Sequence, residues 1–304
     1  MTHLRAFRPQ DSASLLAIRA ANAAVDAEQN ANAGMQLQND LRQGSAAHNL
    51  WVIEQGQEIL AYGGLRPWHS LGWLQVEVFV HPAWRNRGLG SMLLEQLLAE
   101  AARRGAPYVG TTVSDRDAAA GAFLRRHGFD LFVPRQHMRL QPIIVPPAPA
   151  VAGYWLREAR ASESTQLALL TNRVYSSERV GRADGPGYRL YMEQTGARVW
   201  VVERLGEGQP VGLCEVRARE ITLGGATVQS GHIASLGIHP ERRGLGLGRW
   251  LLACGIRQCL ENRWPTVELN VDRDNEPALR LYTSVGFKPV YAYNLYRREV
   301  KRKR

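Results

Sequence analysis

The chain repeats itself at long range. His81-Pro82-Ala83-Trp84-Arg85-Asn86-Arg87-Gly88-Leu89-Gly90 aligns without a gap on His239-Pro240-Glu241-Arg242-Arg243-Gly244-Leu245-Gly246-Leu247-Gly248, an offset of 158 (239 minus 81). The same offset carries Leu93, Leu94, Leu97 and Leu98 onto Leu251, Leu252, Gly255 and Ile256, and Gly128-Phe129 onto Gly286-Phe287. A period this long marks a duplicated domain rather than a solenoid unit. With 304 residues, each copy has about 150 residues and can bury its own core. One domain pattern, used twice, must therefore account for the fold.

The domain starts match at shorter offsets. Leu4-Arg5-Ala6-Phe7-Arg8 resembles Leu156-Arg157-Glu158-Ala159-Arg160, and Trp51-Val52-Ile53-Glu54 resembles Trp200-Val201-Val202-Glu203. Loops thus differ in length early in each half. Between the halves, prolines at 142, 146, 147 and 149 favour an extended spacer. The expected division is residues 1–140, a Pro-rich linker at 141–153, and residues 154–304. In the second half, strands are expected at 199–203, 211–217, 232–238, 266–271 and 291–297. The recurrence of Leu251, Leu252, Gly255, Ile256, Cys259 and Leu260 makes one face of a helix. Asp274 or Asn275 can cap a following helix, with Pro277 in its first turn and Gly286 at its end. The expected fold class is α/β, an α+β mixed sheet with helices on both faces, in two tandem copies.

Composition narrows the function. No segment approaches ~18 consecutive apolar residues, so no membrane span is expected. Cys214, Cys254 and Cys259 fit neither a disulfide framework nor a zinc site, so no metal is expected and a reducing cytoplasmic location is. The net charge of +10 is almost all arginine. It is compatible with a polyphosphate ligand, with nucleic acid, or with compositional bias. No stretch interleaves basic and aromatic residues as a nucleic-acid surface does, so a nucleic-acid partner is not expected.

The repeated loop suggests its own chemistry. A strand, a Pro-containing turn and Arg-x-x-Gly-x-Gly lead into a helix. Glycines let backbone N–H groups approach a phosphate closely. The helix start leaves N–H donors without intrahelical partners and carries about half a positive charge. Together they suit a pyrophosphate, and Arg242 and Arg243 add charge-assisted donors. A dinucleotide turn requires Gly-x-Gly-x-x-Gly, whereas Gly244, Gly246 and Gly248 are spaced Gly-x-Gly-x-Gly, and the first copy has Asn86 in the first glycine's place. Glu268, about 20 residues on, keeps that alternative open. A Walker loop is excluded, because no Gly-Lys-Ser/Thr follows.

Ile238-His239-Pro240-x-x-Arg243-Gly244-x-Gly246-x-Gly248, followed by Asn275-x-x-Ala278-x-x-Leu281-Tyr282-x-x-x-Gly286-Phe287, resembles the GNAT superfamily of acyl-CoA-dependent N-acyltransferases. The resemblance covers about 4–140 and 156–298, and the tandem order resembles mycothiol synthase. It implies acetyl-CoA or another acyl-CoA as co-substrate. It implies that Arg242, Arg243, Gly244, Gly246 and Gly248 hold its pyrophosphate, that backbone groups at Leu236 and Ile238 pair with its pantetheine arm, and that Asn275 lies near that arm. Arg85, Gly88 and Gly90 match in the first copy.

Tyr282 matches the family's general acid. A phenol of pKa about 10 can reprotonate a thiolate whose conjugate acid has pKa about 8.5. His232, eleven residues before Arg243, stands where some members carry a glutamate base, and Glu215 on the neighbouring strand competes with it. At the offset of 158, Tyr282 falls on Leu124, His232 on Leu74 and Asn275 on Asp117. Leucine transfers no proton, so the first copy is expected to be catalytically degenerate, with Glu77 as a carboxylate at a different position.

The expected function is acetyl transfer from acetyl-CoA to a primary amine of a small molecule by direct attack, in a monomer or homodimer. The alternative is a non-catalytic acyl-CoA-binding or sensing protein. The loop at 176–187 is expected to help shape the acceptor site.

Overall fold

The computed structural model describes residues 1–22, 37, 41, 49–68, 73–175 and 183–300. The chain forms two compact units, residues 1–135 with 291–304, and residues 136–290. These bounds depart from the division at 140 and 154. Each unit contains the end of a strand whose start belongs to the other, namely β6 (Asp130–Leu140) and β12 (Lys288–Glu299).

Unit 1 runs β1 (His3–Ala6), α1 (Ser12–Ala21), β2 (Leu50–Gln55), β3 (Glu58–Trp68), β4 (Trp73–Val80), α2 (Leu89–Arg103), β5 (Tyr108–Ser114) and α3 (Ala118–Arg126). Strands β1 to β4 form antiparallel neighbours, β5 joins β4 in parallel, and residues 293–299 of β12 pair antiparallel to β5. Leu94, Leu97 and Ala101 of α2 pack on Leu65, Val76 and Val109.

Unit 2 repeats the plan. Its elements are β7 (Tyr154–Glu158), α4 (Ser164–Val174), α5 (Gly185–Thr195), β8 (Arg198–Arg204), β9 (Pro210–Leu223), β10 (Ala226–Ile238), α6 (Leu247–Glu261), β11 (Val267–Asp272) and α7 (Glu276–Val285). The sheet order is β7-β8-β9-β10-β11, with the end of β6 beyond β11. The β10–β11 pair is parallel and the β7 to β10 pairs are antiparallel. Both units are therefore mixed α/β.

Two elements exceed the expectation from sequence. β9 and β10 extend to Leu223 and back to Ala226, because Gly224 and Gly225 take φ of 57° and 84°. Paired positive φ values make the tight turn whose twist matches a hairpin. Residues 185–187, expected as loop, begin helix α5. Asp184 Oδ1 accepts from the Gly187 N–H at 2.7 Å, with Pro186 in the first turn. Residues 176–182 lie outside the described residues.

The core of unit 2 lies between the sheet and α6, where Leu251, Leu252, Ile256 and Cys259 meet Cys214, Val216 and Ile233. Leu260, expected on this face, is 48% exposed, one step past the apolar stripe. Gly255 permits the close approach. A Cβ there would lie 2.9 Å from Cys214 Sγ and 3.1 Å from Val216 Cγ2. Gly255→Val is expected to cost about 1–3 kcal/mol by overpacking, read as a lower urea midpoint at unchanged slope.

Candidate active site

The Gly/Arg loop has the conformation its glycines suggest. A turn of 3-10 helix at Pro240–Arg242 leads to Gly244 at φ 80°, then Gly246 at φ 83° as the N-cap of α6. Both are left-handed, which glycine adopts without strain. A Cβ on Gly244 would meet nothing within 4 Å, so the loop's outer side is open. Arg243 braces the loop, donating from Nε to the Ile238 carbonyl at 3.2 Å and from an Nη to the Val174 carbonyl at 3.3 Å. Arg242 pairs with Glu207 at 3.2 Å. A Cβ on Gly248 would lie 3.8 Å from side-chain carbons of Ile238 and Leu281, so the helix start sits beside β10 and α7. In unit 1, Asn86 takes φ 61° in the place of Gly244, and Gly88 caps α2 at φ 79°. Asparagine is among the few residues that tolerate this region. Arg85 donates to Asn22 Oδ1 at 2.5 Å, and Gly90 faces Phe123 and Val80.

The pairing of two parallel strands ends early in unit 2. β10 pairs with β11 over Gly231–Ile233 and Val267–Leu269, and the register stops there although both strands continue. The parting coincides with a β-bulge. Ile233 opposes Val216 and Ser235 opposes Glu215, so Ala234 is the extra residue. A bulge bends its strand and interrupts pairing.

The bulge corrects one expectation. In unit 1 the β3–β4 ladder runs without a register shift, with Arg66 opposite Gln75 and Gly64 opposite Glu77. In unit 2, Arg217 opposes His232 and Glu215 opposes Ser235. The structural counterpart of His232 is therefore Gln75 rather than Leu74. Glutamine is no base, and Glu77 is ion-paired to Arg66 at 3.0 Å.

Just past the bulge, Leu236 N–H donates to the Tyr175 hydroxyl at 3.0 Å, and that hydroxyl lies 2.8 Å from Ser235 Oγ. Burial pushes the Tyr175 phenol up to about 12. Tyr282 is buried on α7, edge-on to Phe287 at 5.8 Å between ring centroids. Burial foremost, then nearby Tyr175 and Cys214, raises its phenol well above the ordinary value. Tyr175 is thus tied to Leu236 and Ser235 just past the bulge, and Tyr282 shares the core cluster against which Leu236 packs. In unit 1, Leu124 fills the place of Tyr282 as a core side chain.

His232 and Glu215 sit on the sheet face away from α6. His232 is 5% exposed and Nδ1 has no partner among the described residues. Burial, then the charges of Arg219, Arg217 and His137, hold its pKa well below 6.5, so the imidazole is neutral at pH 7. Glu215 accepts a short hydrogen bond from the Tyr188 hydroxyl, and burial raises its pKa. Glu268, opposite His232 and fully buried, is paired to Arg139 at 2.6 Å and His137 at 3.3 Å. Asn275 caps α7, accepting from the Ala278 N–H at 3.2 Å, as Asp117 caps α3.

Tyr175, Tyr188, His137 and Arg139 carried no sequence signal. Each meets a candidate site residue through tertiary placement alone. A cavity at the β7 edge, lined by Arg157, Glu163 and Glu203, is architectural by contrast. Arg157 bridges Glu163 and Glu203 as Arg5 bridges Asp11 and Glu54 in unit 1.

Residues 46–131 match a family model described as "Acetyltransferase (GNAT) domain", and residues 168–287 match one described as "Acetyltransferase (GNAT) family". The mycothiol acetyltransferase of Acidothermus cellulolyticus is 29% identical over 261 residues, covering 79% of this chain and 76% of its own. That of Sanguibacter keddieii is 31% identical over 233 residues, 71% of each. An N-acetyltransferase structure from Sphaerobacter thermophilus superposes with a TM-score of 0.75 at 19% identity, over 99% of this chain and 96% of its own. A tandem GNAT protein from the clavulanic acid biosynthesis pathway gives 0.68 at 18% identity, over 100% of both chains. These two likenesses establish the fold. The glycine loops, the parted strands and the relatives agree: the chain belongs to the GNAT family as a tandem-domain member resembling mycothiol synthase, and it is an acetyl-CoA-dependent acetyltransferase.

Proposed function

We infer that unit 2 transfers the acetyl group of acetyl-CoA to a primary amine of a small molecule by direct attack, and that unit 1 is catalytically degenerate. The supporting observation is the Leu236 amide and Tyr175 hydroxyl bonded to each other just past the bulge, with the buried Tyr282 in the core cluster against which Leu236 packs. Acetyl-CoA supplies the thioester. The open loop at 243–248 and the start of α6 would hold its pyrophosphate with main-chain donors, and Ile238 and Asn275 would flank the pantetheine arm. The Leu236 N–H, exchanging Tyr175 for the thioester carbonyl, would stabilise the charge that develops on that oxygen.

Tyr282 is protonated throughout the working range and would donate to the departing sulfur. The burial that raises its pKa would raise the thiolate's basicity too, so donor and acceptor stay matched. His232 is the candidate base with an unengaged nitrogen. Its Nδ1 is without a partner, whereas the Glu215 carboxylate already receives the Tyr188 hydroxyl. Arg85, Gly88 and Gly90 would form the corresponding loop in unit 1, without an acid or base beside it.

A screen of primary amines against acetyl-CoA, read by free thiol release, tests the reading. Failure of every amine to release thiol above the hydrolytic background would overturn it. The pH profile tests the base. A lowered native pKa keeps His232 unprotonated through pH 6.5, so kcat at saturating amine should stay level there and fall only at lower pH. An acid limb in kcat at or above 6.5 that does not move with the pKa of the acceptor amine would assign the base elsewhere. Stability has the same sign. The unfolded chain binds this proton as pH drops below about 6.5, so stability is full above that pH and declines toward the native pKa.

A further inference from the structure

The sheet face that carries Glu215 and His232 also holds two arginines without a part in proton transfer. Cys214, Val216 and Ile233 pack against α6, so alternation along β9 sends Glu215, Arg217 and Arg219 to the opposite face. Helix α5 lies on that face. Its Tyr188 donates to Glu215, and its Tyr191 ring centroid is 5.9 Å from the Arg217 guanidinium carbon. Across the ladder, Arg217 opposes His232 and Arg219 opposes Ser230. Both arginines are half-buried.

The carboxylates nearby are committed. Glu268 is held by Arg139 and His137, and Glu215 accepts from the Tyr188 hydroxyl, with burial raising its pKa and Arg217 lowering it. Arg217 and Arg219 enter no salt bridge among the described residues, yet both act on His232 strongly enough to depress its charging. Glu215 feels the charge of Arg217 but forms no salt bridge with it, so two half-buried cations beside a buried imidazole nitrogen without a partner leave the site with an excess of positive charge. Such charge is costly to bury unless a ligand completes it.

We propose that the acceptor carries, besides its amine, an anionic group (a carboxylate or a phosphate) that Arg217 and Arg219 receive while the amine lies toward His232. This rests on the acetyl-transfer reading of the same site. The phosphates of coenzyme A are not the ligand in question. The glycine loop follows Ile238, and His232 lies six residues back (238 minus 232) along an extended strand. At about 3.3 Å per residue this is about 20 Å. Guanidinium forks suit planar carboxylate and phosphate oxygens in pairs, so they would select for the anion rather than merely attract it.

Matched acceptors provide the test. Glucosamine 6-phosphate is compared with glucosamine, and glycylglycine with its C-terminal amide, each with saturating acetyl-CoA and the full chain. The expected result is that kcat/KM favours the anionic member of at least one pair by about tenfold or more. The preferred pair then tells phosphate from carboxylate. R217Q and R219Q should each raise KM for the anionic member by about tenfold, leaving KM for the neutral member and for acetyl-CoA unchanged. A purely structural role would move all three together, and R219K should restore part of the preference. Equal use of both members in each pair, or an equal loss on both in the variants, overturns the proposal. Calorimetric binding of the same pairs to the coenzyme A-saturated protein separates the two readings. An anion preference in binding that R217Q abolishes, without any thiol release, upholds the anion site and rejects amine acetylation. No preference in binding rejects the anion site.

Discussion

Tyr282→Phe is expected to lower kcat for acetyl transfer about 10²–10⁴-fold, the usual worth of a positioned general acid, with the affinity for acetyl-CoA within about twofold of the parent. The ring stays edge-on to Phe287 and within the core of unit 2, so the melting temperature should hardly move. That contrast makes the result specific. A folding defect would lower stability, and a ground-state binding role would raise KM while sparing kcat. Leu124→Tyr in unit 1 should not create activity, because Gln75 and the Arg66–Glu77 pair provide no free base. Undiminished turnover by Tyr282→Phe would remove the phenol from the mechanism, and the neighbouring Tyr175 hydroxyl would then be the acid to test.

The second large effect concerns how the chain can be divided. A fragment of residues 154–304 is expected to show no cooperative unfolding transition, whereas residues 136–290 should retain one. The shorter cut deletes the end of β6. Glu268, fully buried, then loses both Arg139 and His137, and breaking such a pair by removing a partner costs about 3–5 kcal/mol. Met138 and Leu140 also leave the core, each worth about 2–5 kcal/mol on truncation. The Thr266 hydroxyl loses the Leu140 carbonyl it donates to at 3.2 Å. Together these reach the whole stability of a typical domain, about 5–15 kcal/mol. In the full chain, Arg139→Met alone should lower stability by about 3–5 kcal/mol, measured by chemical denaturation. A sharp melt from the 154–304 fragment, or a silent Arg139→Met, would show that the end of β6 is dispensable.

Much of the site was legible because its signals are local. The left-handed glycines at 244 and 246, the Asn275 cap and the Gly286 stop each act on the backbone within a few residues, and the structure has them where the motif spacing suggested. Tyr282 was singled out by its place in Leu-Tyr-x-x-x-Gly-Phe. The counterpart of His232 was misaligned because a bulge adds a residue to the strand without disturbing the gapless match of the loop that follows. Helix α5 was hidden by its Gly185-Pro186-Gly187 start, which reads as a turn until Asp184 caps it. Tyr175 and Tyr188 had no motif at all. Their hydroxyls matter only because α4 and α5 lie over a particular register of β9 and β10.

From sequence alone came the duplication, the alternation of sheet and helix in each copy, the two glycine loops and the asymmetry between Tyr282 and Leu124. These depend on periodicity, backbone preference and residue identity, which are properties of short segments. Tertiary structure decided the exchange of closing strands between the units' sequences, the parting of β10 from β11, the neutral state of His232 and the pairing of Glu268. Those depend on which distant residues share a ladder or a buried face. A carboxylate or imidazole takes its charge from such neighbours, and a short segment does not contain them.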